Sequence, residues 1–361
     1  MTTPTWICMG TGGVGKTTIS AAIGTAFARL GQRSLVATID PARRLGDLFG
    51  FPDLTGPCEV PDEPRLSVLA TDSRAGARAL VEELLAGAPQ HRDRVGASPL
   101  LGALSGGLSG MHELVALAEL ARCASDYEVT VIDAAPARHA IEVLALPRRL
   151  AEIIDGRTLG WLGDLARLTL GPRRGFGARL LHGARHWIVR ALSSSIGPRV
   201  IDDALGLLAF AADVRPQLST LIASASHVLE PSATTVVIVT TAREGAVDHV
   251  ERLKTGLAEV GHAPALVIVN RVPDACPRDL ATEAALAPWM TTVHRAAAEL
   301  DAARDATSAI VARAAGWGIP VIQIPMFSAD SPTAVVGEVA AVLAAAPSLV
   351  DLWRPTYAAV S

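Results

Sequence analysis

The octapeptide GTGGVGKT, Gly10 to Thr17, constrains this chain more than any other feature. It fits G-x-x-x-x-G-K-[ST] in full, follows the apolar run Thr5 to Gly10 and leads into TTISAAIGTAFARL. Strand, glycine loop and helix are therefore expected in that order. Glycines let the backbone N–H groups of such a loop turn onto phosphate oxygens at a helix N-terminus. Lys16 can reach the β and γ phosphates of a nucleotide, and the Thr17 hydroxyl can hold Mg²⁺. Gly10, Thr11, Gly12, Gly13, Val14, Gly15, Lys16, Thr17 and Thr18 are the candidate phosphate-binding residues.

The loop needs a sheet to stand on. Short β-branched runs recur at Ser34 to Asp40, Arg65 to Ala70, Tyr127 to Asp133, Thr234 to Thr241, Ala265 to Asn270 and Ile319 to Pro325. Each is apolar throughout, as in a parallel strand buried on both faces. Helical stretches between most of them give the βαβ rhythm of a doubly wound α/β fold. Gly156 to Val228 breaks that rhythm with amphipathic helical segments. The expected organisation is a P-loop core of residues 1–155 and 229–361 with a helical subdomain at 156–228. The nucleotide motif does not recur, so any second site must come from another chain.

Composition excludes several classes. With 50% hydrophobic and 19% charged residues the chain can bury a large core. A net charge of -4 gives no overall attraction to nucleic acid, and none is expected as a partner. Cys8, Cys58, Cys123 and Cys276 form no Cys-x-x-Cys pair, which fits a reducing compartment. The N-terminus has no basic n-region, and the longest apolar run, Leu205 to Ala212, is short for a membrane span. A soluble, cytoplasmic chain is expected.

Two aspartates complete the loop's requirements. Asp40 in ATIDPARRLGDLFG and Asp133 in EVTVIDAAPARHAIEVLALP both end apolar runs, at the sheet edge where phosphates sit. Asp133 takes the position of a Walker B carboxylate in a magnesium shell. An aspartate at a strand end is also a common helix cap. With GGVGKTT at Gly12 to Thr18, DPA at Asp40 to Ala42, D-x-A-P-x-x-H at Asp133 to His139 and LP at Leu146 and Pro147, the chain resembles the ArsA-type ATPase family. That family includes the arsenite-pump ATPase and the ATPase that guides tail-anchored membrane proteins. SGMHELVALAEL, VIVNRV and IPMFSADSPTAVVG are weaker echoes. The resemblance implies ATP and Mg²⁺ as cofactors, with Lys16, Asp40 and Asp133 in the catalytic set and Thr17, Asp40 and Asp133 around the metal. Asp40 would orient the attacking water. Asn270 would read adenine, and Pro325, Met326 and Phe327 would pack on the base. A carboxamide can donate to and accept from an adenine edge; Asn270 can equally be a turn residue capping a strand.

The pattern departs from the family at Thr11, where the resemblance implies a lysine that crosses a dimer interface. Lys254, the one lysine besides Lys16, falls in a predicted helix elsewhere. Slow hydrolysis, a cation from an arginine, or pairing with a paralogue that keeps the lysine would each accommodate the change. A homodimer or heterodimer is expected. The scattered cysteines make four structural thiols and no metal site the expectation, which disfavours arsenite transport.

From Gly156 to Val200 eight arginines stand against one acid, Asp164, with Trp161, Leu165, Leu168, Leu180, Trp187, Ile188 and Leu192 at helical spacing. Such a surface could take a hydrophobic client helix of a membrane protein or lie against anionic lipid, peripheral to the membrane. It could equally pack on the sheet with its arginines solvated. The expected function is a dimeric ATP-hydrolysing switch whose nucleotide state sets the shape of the helical subdomain. A non-catalytic ATP-binding subunit, a subunit of an anion or metalloid transport ATPase, and a partitioning ATPase are the alternatives. His139 and His112 read as structural donors.

Overall fold

A computed structural model describes residues 3–39, 44–51, 54, 56–71, 73–96, 98, 111–134, 137–155, 160–161, 163–164, 166, 198–274 and 289–358. Asp40 to Ala42, most of the arginine-rich segment from Gly156 to Val200, and Cys276 lie outside these residues.

Eight strands form one sheet in the order β3-β4-β2-β5-β1-β6-β7-β8. They are β1 (Thr5–Met9), β2 (Ser34–Thr38), β3 (Cys58–Val60), β4 (Glu63–Ala70), β5 (Val129–Asp133), β6 (Thr234–Thr241), β7 (Pro264–Val272) and β8 (Val321–Pro325). All neighbours run parallel except β3 and β4. β1, β2 and β5 are buried along their whole length, as a sheet covered on both faces requires. The fold is the α/β doubly wound sheet that the apolar runs predict. Because the strands are parallel, Met9, Thr38, Asp133, Thr241, Asn270 and Pro325 all reach the same sheet edge.

The helix after the glycine loop, α1 (Lys16–Arg29), lies on the sheet with Ile19 to Ala28 buried. Small residues allow a close approach: a Cβ on Gly24 would stand 2.2 Å from Val36 Cγ2. Trp6 meets Phe27 edge-on at 5.2 Å, and Phe27 meets Trp353 at 4.7 Å. These rings tie β1, α1 and the C-terminal helix Pro347–Ala358 into one core.

Cys58 is expected in a loop but belongs to β3, a three-residue antiparallel edge strand. So short a piece has no apolar run to announce it; its pairing with β4 across the turn at Pro61 and Asp62 makes it a strand.

The chain divides into two compact units, Met1–Thr71 with Arg122–Leu144 and Val228–Ser361, and Asp72–Ala121 with Ala145–His227. The first holds the whole sheet. The second is helical in its described residues and also takes in Ser73–Gly87, upstream of the 156–228 segment. Its apolar cluster of Leu84, Leu85, Ala88, Val95, Phe210 and Val214 carries a polar clasp, with His91 Nε2 2.6 Å from Asp213 Oδ2. Trp161 is 64% exposed there, so its indole is not part of that cluster. No single helix among the described residues is long and apolar enough to cross a membrane.

Candidate nucleotide site

The site starts where β1 ends. At Gly10 a Cβ would lie 2.2 Å from the Val239 carbonyl oxygen, so only glycine lets the chain leave the sheet this close to β6. Gly13 and Gly15 take φ of 80° and 89°, left-handed values that bend the loop back into α1. Gly15 caps α1 with no side-chain bond, so the first N–H groups of the helix have no cap of that kind. A helix N-terminus in this condition favours an anion.

Side-chain donors fix the loop's carbonyl groups. Lys16 Nζ donates to the Thr11 carbonyl at 3.1 Å, Arg271 Nη1 to Gly13 at 3.5 Å and Asn270 Nδ2 to Val14 at 2.9 Å. A trans peptide holds its C=O and N–H antiparallel, so the N–H groups of Val14 and Gly15 point away from those donors. The loop thus presents amides on one side and has its carbonyls engaged on the other. Thr11 and Thr18 are half-buried, while Gly12 and Gly13 are exposed.

Asp133 is 2% exposed at the end of β5, in register with Thr38 of β2 and Cys8 of β1. Its Oδ2 accepts from Thr17 Oγ1 at 2.7 Å and from Thr38 Oγ1 at 3.5 Å; its Oδ1 accepts from Ser20 Oγ at 3.5 Å. Three hydroxyls therefore solvate a buried carboxylate. Hard oxygens of Thr17 and Asp133 suit Mg²⁺, which takes one or two protein oxygens and the phosphates of its nucleotide. Among the described residues there is no cluster of three or more His, Cys, Asp or Glu that could hold a metal by itself. Asp40 lies just beyond Ile39, whose N–H donates to the Asp133 carbonyl at 3.2 Å.

Next to Asp133 lies Cys8, wholly buried under α1. Burial pushes its thiol up to about 12, and the neighbouring Asp133 charge works in the same direction, against the Ser20 hydrogen bond and Lys16.

The base-side residues divide. Asn270 is buried, its Oδ1 accepting from the Arg271 N–H at 2.9 Å, and its Nδ2 lies where a Cβ on Gly15 would stand, 2.4 Å away. Its carboxamide braces the phosphate loop, a role that the sequence reading did not include. Pro325 ends β8, and the Met326 N–H donates to the Val272 carbonyl at 3.1 Å. Met326 is 65% exposed, whereas Phe327 packs against the core under α1. Pro325 and Met326 are both exposed, and Phe327 is half-buried.

Ser20, Thr38 and Arg271 are site residues that the sequence reading missed. Ser20 had a signal: three residues after Thr17, it lies on the same face of α1. Lys254 sits over the Trp317 ring at 5.2 Å on the helix Ala246–Glu259, where it does not replace a loop cation. His139 pairs with Glu142 at 3.4 Å along its own helix.

A phosphate loop between β1 and α1, a hydroxyl at the helix start and a buried aspartate on the adjacent parallel strand define a P-loop nucleotide-binding protein. The family model of anion-transporting ATPases, the ArsA type, matches residues 4–173. ATPase asna-1 of Caenorhabditis elegans is 29% identical over 159 residues, 41% of this chain and 46% of its own. ATPase GET3 of Malassezia globosa is 30% identical over 164 residues, 43% of this chain and 47% of its own. An uncharacterised protein of Streptomyces coelicolor is 30% identical over 278 residues, 76% of this chain and 64% of its own. The chain is similar to the ArsA-type ATPases over residues 4–173, and it spans just under half the length of the two named ATPases.

Proposed function

We propose that this chain is a switch ATPase that binds Mg-ATP at the Gly10 to Thr18 loop and transfers the γ-phosphoryl group to water. The observation that carries the reading is the Thr17 hydroxyl 2.7 Å from the Asp133 carboxylate, beside Lys16 on a loop whose amides are set for phosphate. Lys16 and the loop amides hold phosphate charge. Thr17 and Asp133, with Asp40, hold the metal shell, and Asp40 orients the water. Bound Mg²⁺ supplies charge neutralisation for the leaving phosphates. Asn270 and the Pro325 to Phe327 turn hold the base.

Nucleotide state then reaches the helical unit through the chain that leaves Asp133. It runs into the helix Ala137–Asp155, whose first half belongs to the sheet unit and whose second half to the helical unit. Pro147 interrupts that helix's hydrogen-bond ladder just past the boundary. In this reading a dimer closes on ATP, in the cytoplasm or at the membrane surface, and the helical unit binds an apolar segment of a membrane protein. Anion transport, after the family's description, is the alternative cargo.

A second reading, a non-catalytic ATP-binding subunit, is favoured by one observation. Thr11 contributes only its carbonyl to Lys16 and brings no charge of its own to the loop. Hydrolysis by the wild type, Lys16→Ala and Thr11→Lys, with molecular mass by light scattering in the same buffers, separates the two. The switch reading expects turnover that Lys16→Ala abolishes and Thr11→Lys raises. Binding without turnover, unchanged by Thr11→Lys, would establish the subunit reading instead.

A further inference from the structure

We infer that Asn270 is a positioning residue for phosphate: it aims the Gly15 amide, so the loop's hold on a polyphosphate depends on it whether or not a base is present. The inference rests on the loop being an ATP site, and goes beyond the base contact that the resemblance implies for Asn270.

Asn270 ends the buried run of β7 and is 5% exposed. Its Oδ1 accepts from the Arg271 N–H at 2.9 Å, and its Nδ2 donates to the Val14 carbonyl at 2.9 Å. The opposite flip would set an oxygen against that carbonyl and an NH₂ against that N–H, so one orientation alone satisfies both partners. The carboxamide also fills the space beside Gly15, where a Cβ would stand 2.4 Å from Nδ2. The end of β7 is thereby tied to the peptide unit between Val14 and Gly15.

In that planar trans unit the Val14 carbonyl and the Gly15 N–H point opposite ways. Holding the carbonyl from the β7 side therefore sets the direction of the Gly15 N–H. Arg271 Nη1 lies 3.5 Å from the Gly13 carbonyl on the same side, which turns the preceding unit, with the Val14 N–H, the same way. Two consecutive amides facing alike make the concave nest that binds an anion, and nests use left-handed residues such as Gly13 and Gly15. Of the two bonds that hold this arrangement, the one from Asn270 is the shorter and the buried one, so it carries more of the aim. A carboxamide has two N–H groups and two acceptor lone pairs, and the bonds to Val14 and Arg271 use one of each, so bracing and a base contact are compatible.

Calorimetric titration with Mg-ATP and with Mg-tripolyphosphate, which has neither base nor ribose, tests the assignment. The proteins are the wild type, Asn270→Ala, Asn270→Leu and Lys16→Ala, each held below its own unfolding midpoint. Asn270→Ala should weaken tripolyphosphate about tenfold, the size of one hydrogen bond, and ATP by at least that factor. Asn270→Leu keeps a similar volume and lacks the donor, so it should lose tripolyphosphate as the alanine variant does. Unchanged tripolyphosphate affinity in Asn270→Ala overturns the assignment, and if ATP alone is weakened Asn270 is a base contact only. A leucine variant that binds tripolyphosphate like the wild type overturns it too, because volume and not the bond would then be what counts. So does a wild type that binds ATP and no tripolyphosphate. If the wild type binds ATP and Lys16→Ala does not, such a failure belongs to Asn270 alone. If the wild type binds neither ligand, the site reading falls and the inference with it.

Discussion

Asp133 and Cys8 lie side by side under the phosphate loop, and their environments differ. The carboxylate accepts hydrogen bonds from Thr17, Thr38 and Ser20. The thiol, buried beside that charge, is held protonated up to about 12. Between the ordinary thiol value of 9.0 and about 12, the folded chain retains a proton that the unfolded chain has released. Stability contributed at Cys8 is therefore complete below 9.0 and falls as pH rises through that window. Cys8→Ala should flatten this alkaline loss in pH-dependent denaturation. Alkylation at mildly alkaline pH should mark half-buried Cys58 and Cys123 well before Cys8; Cys8 reacting as fast as Cys58 would contradict the burial argument. That Thr17 and Asp133 come together beside Lys16 was legible in the sequence, because one short motif and one strand end mark these residues. Ser20 was within reach, one turn along α1. Thr38 and Arg271 were not, since their roles depend on which strands lie side by side, and Thr38 faces Asp133 only through the β2–β5 register.

At the scale of elements, the seven apolar runs all became strands, because a parallel strand buried on both faces has no polar face to disguise it. The exception, β3, is three residues long and takes its conformation from β4. The glycine of α1 shows how closely the elements meet. Gly24→Ala puts a methyl group where Val36 Cγ2 already stands, a clash of the kind that costs about 1–3 kcal/mol in a packed core. Urea denaturation should show that loss, and Val36→Ala in the same chain should recover part of it; strictly additive losses would mean that the two residues do not meet. The interplay of Asn270 with Gly15 was not legible for the same reason as Arg271. A residue at the end of β7 reads as a cap or a base contact until the fold sets it against the loop.

The whole molecule divides into a sheet unit that holds the candidate nucleotide residues and a helical unit with its own apolar cluster. The sheet unit's class followed from the order of strand, loop and helix. The helical unit also takes in Asp72–Ala121, which the sequence did not set apart, because those residues interrupt the βαβ rhythm only by their length. Thermal unfolding with and without Mg-ATP, for the wild type and Lys16→Ala, tests most directly whether the sheet unit binds nucleotide. A ligand at one hundred times its Kd stabilises the folded chain by about 2.7 kcal/mol. Mg-ATP should raise the midpoint of the wild type, with almost none of that rise for AMP or in Lys16→Ala. Equal midpoints with and without Mg-ATP, or a rise that survives Lys16→Ala in full, would contradict it.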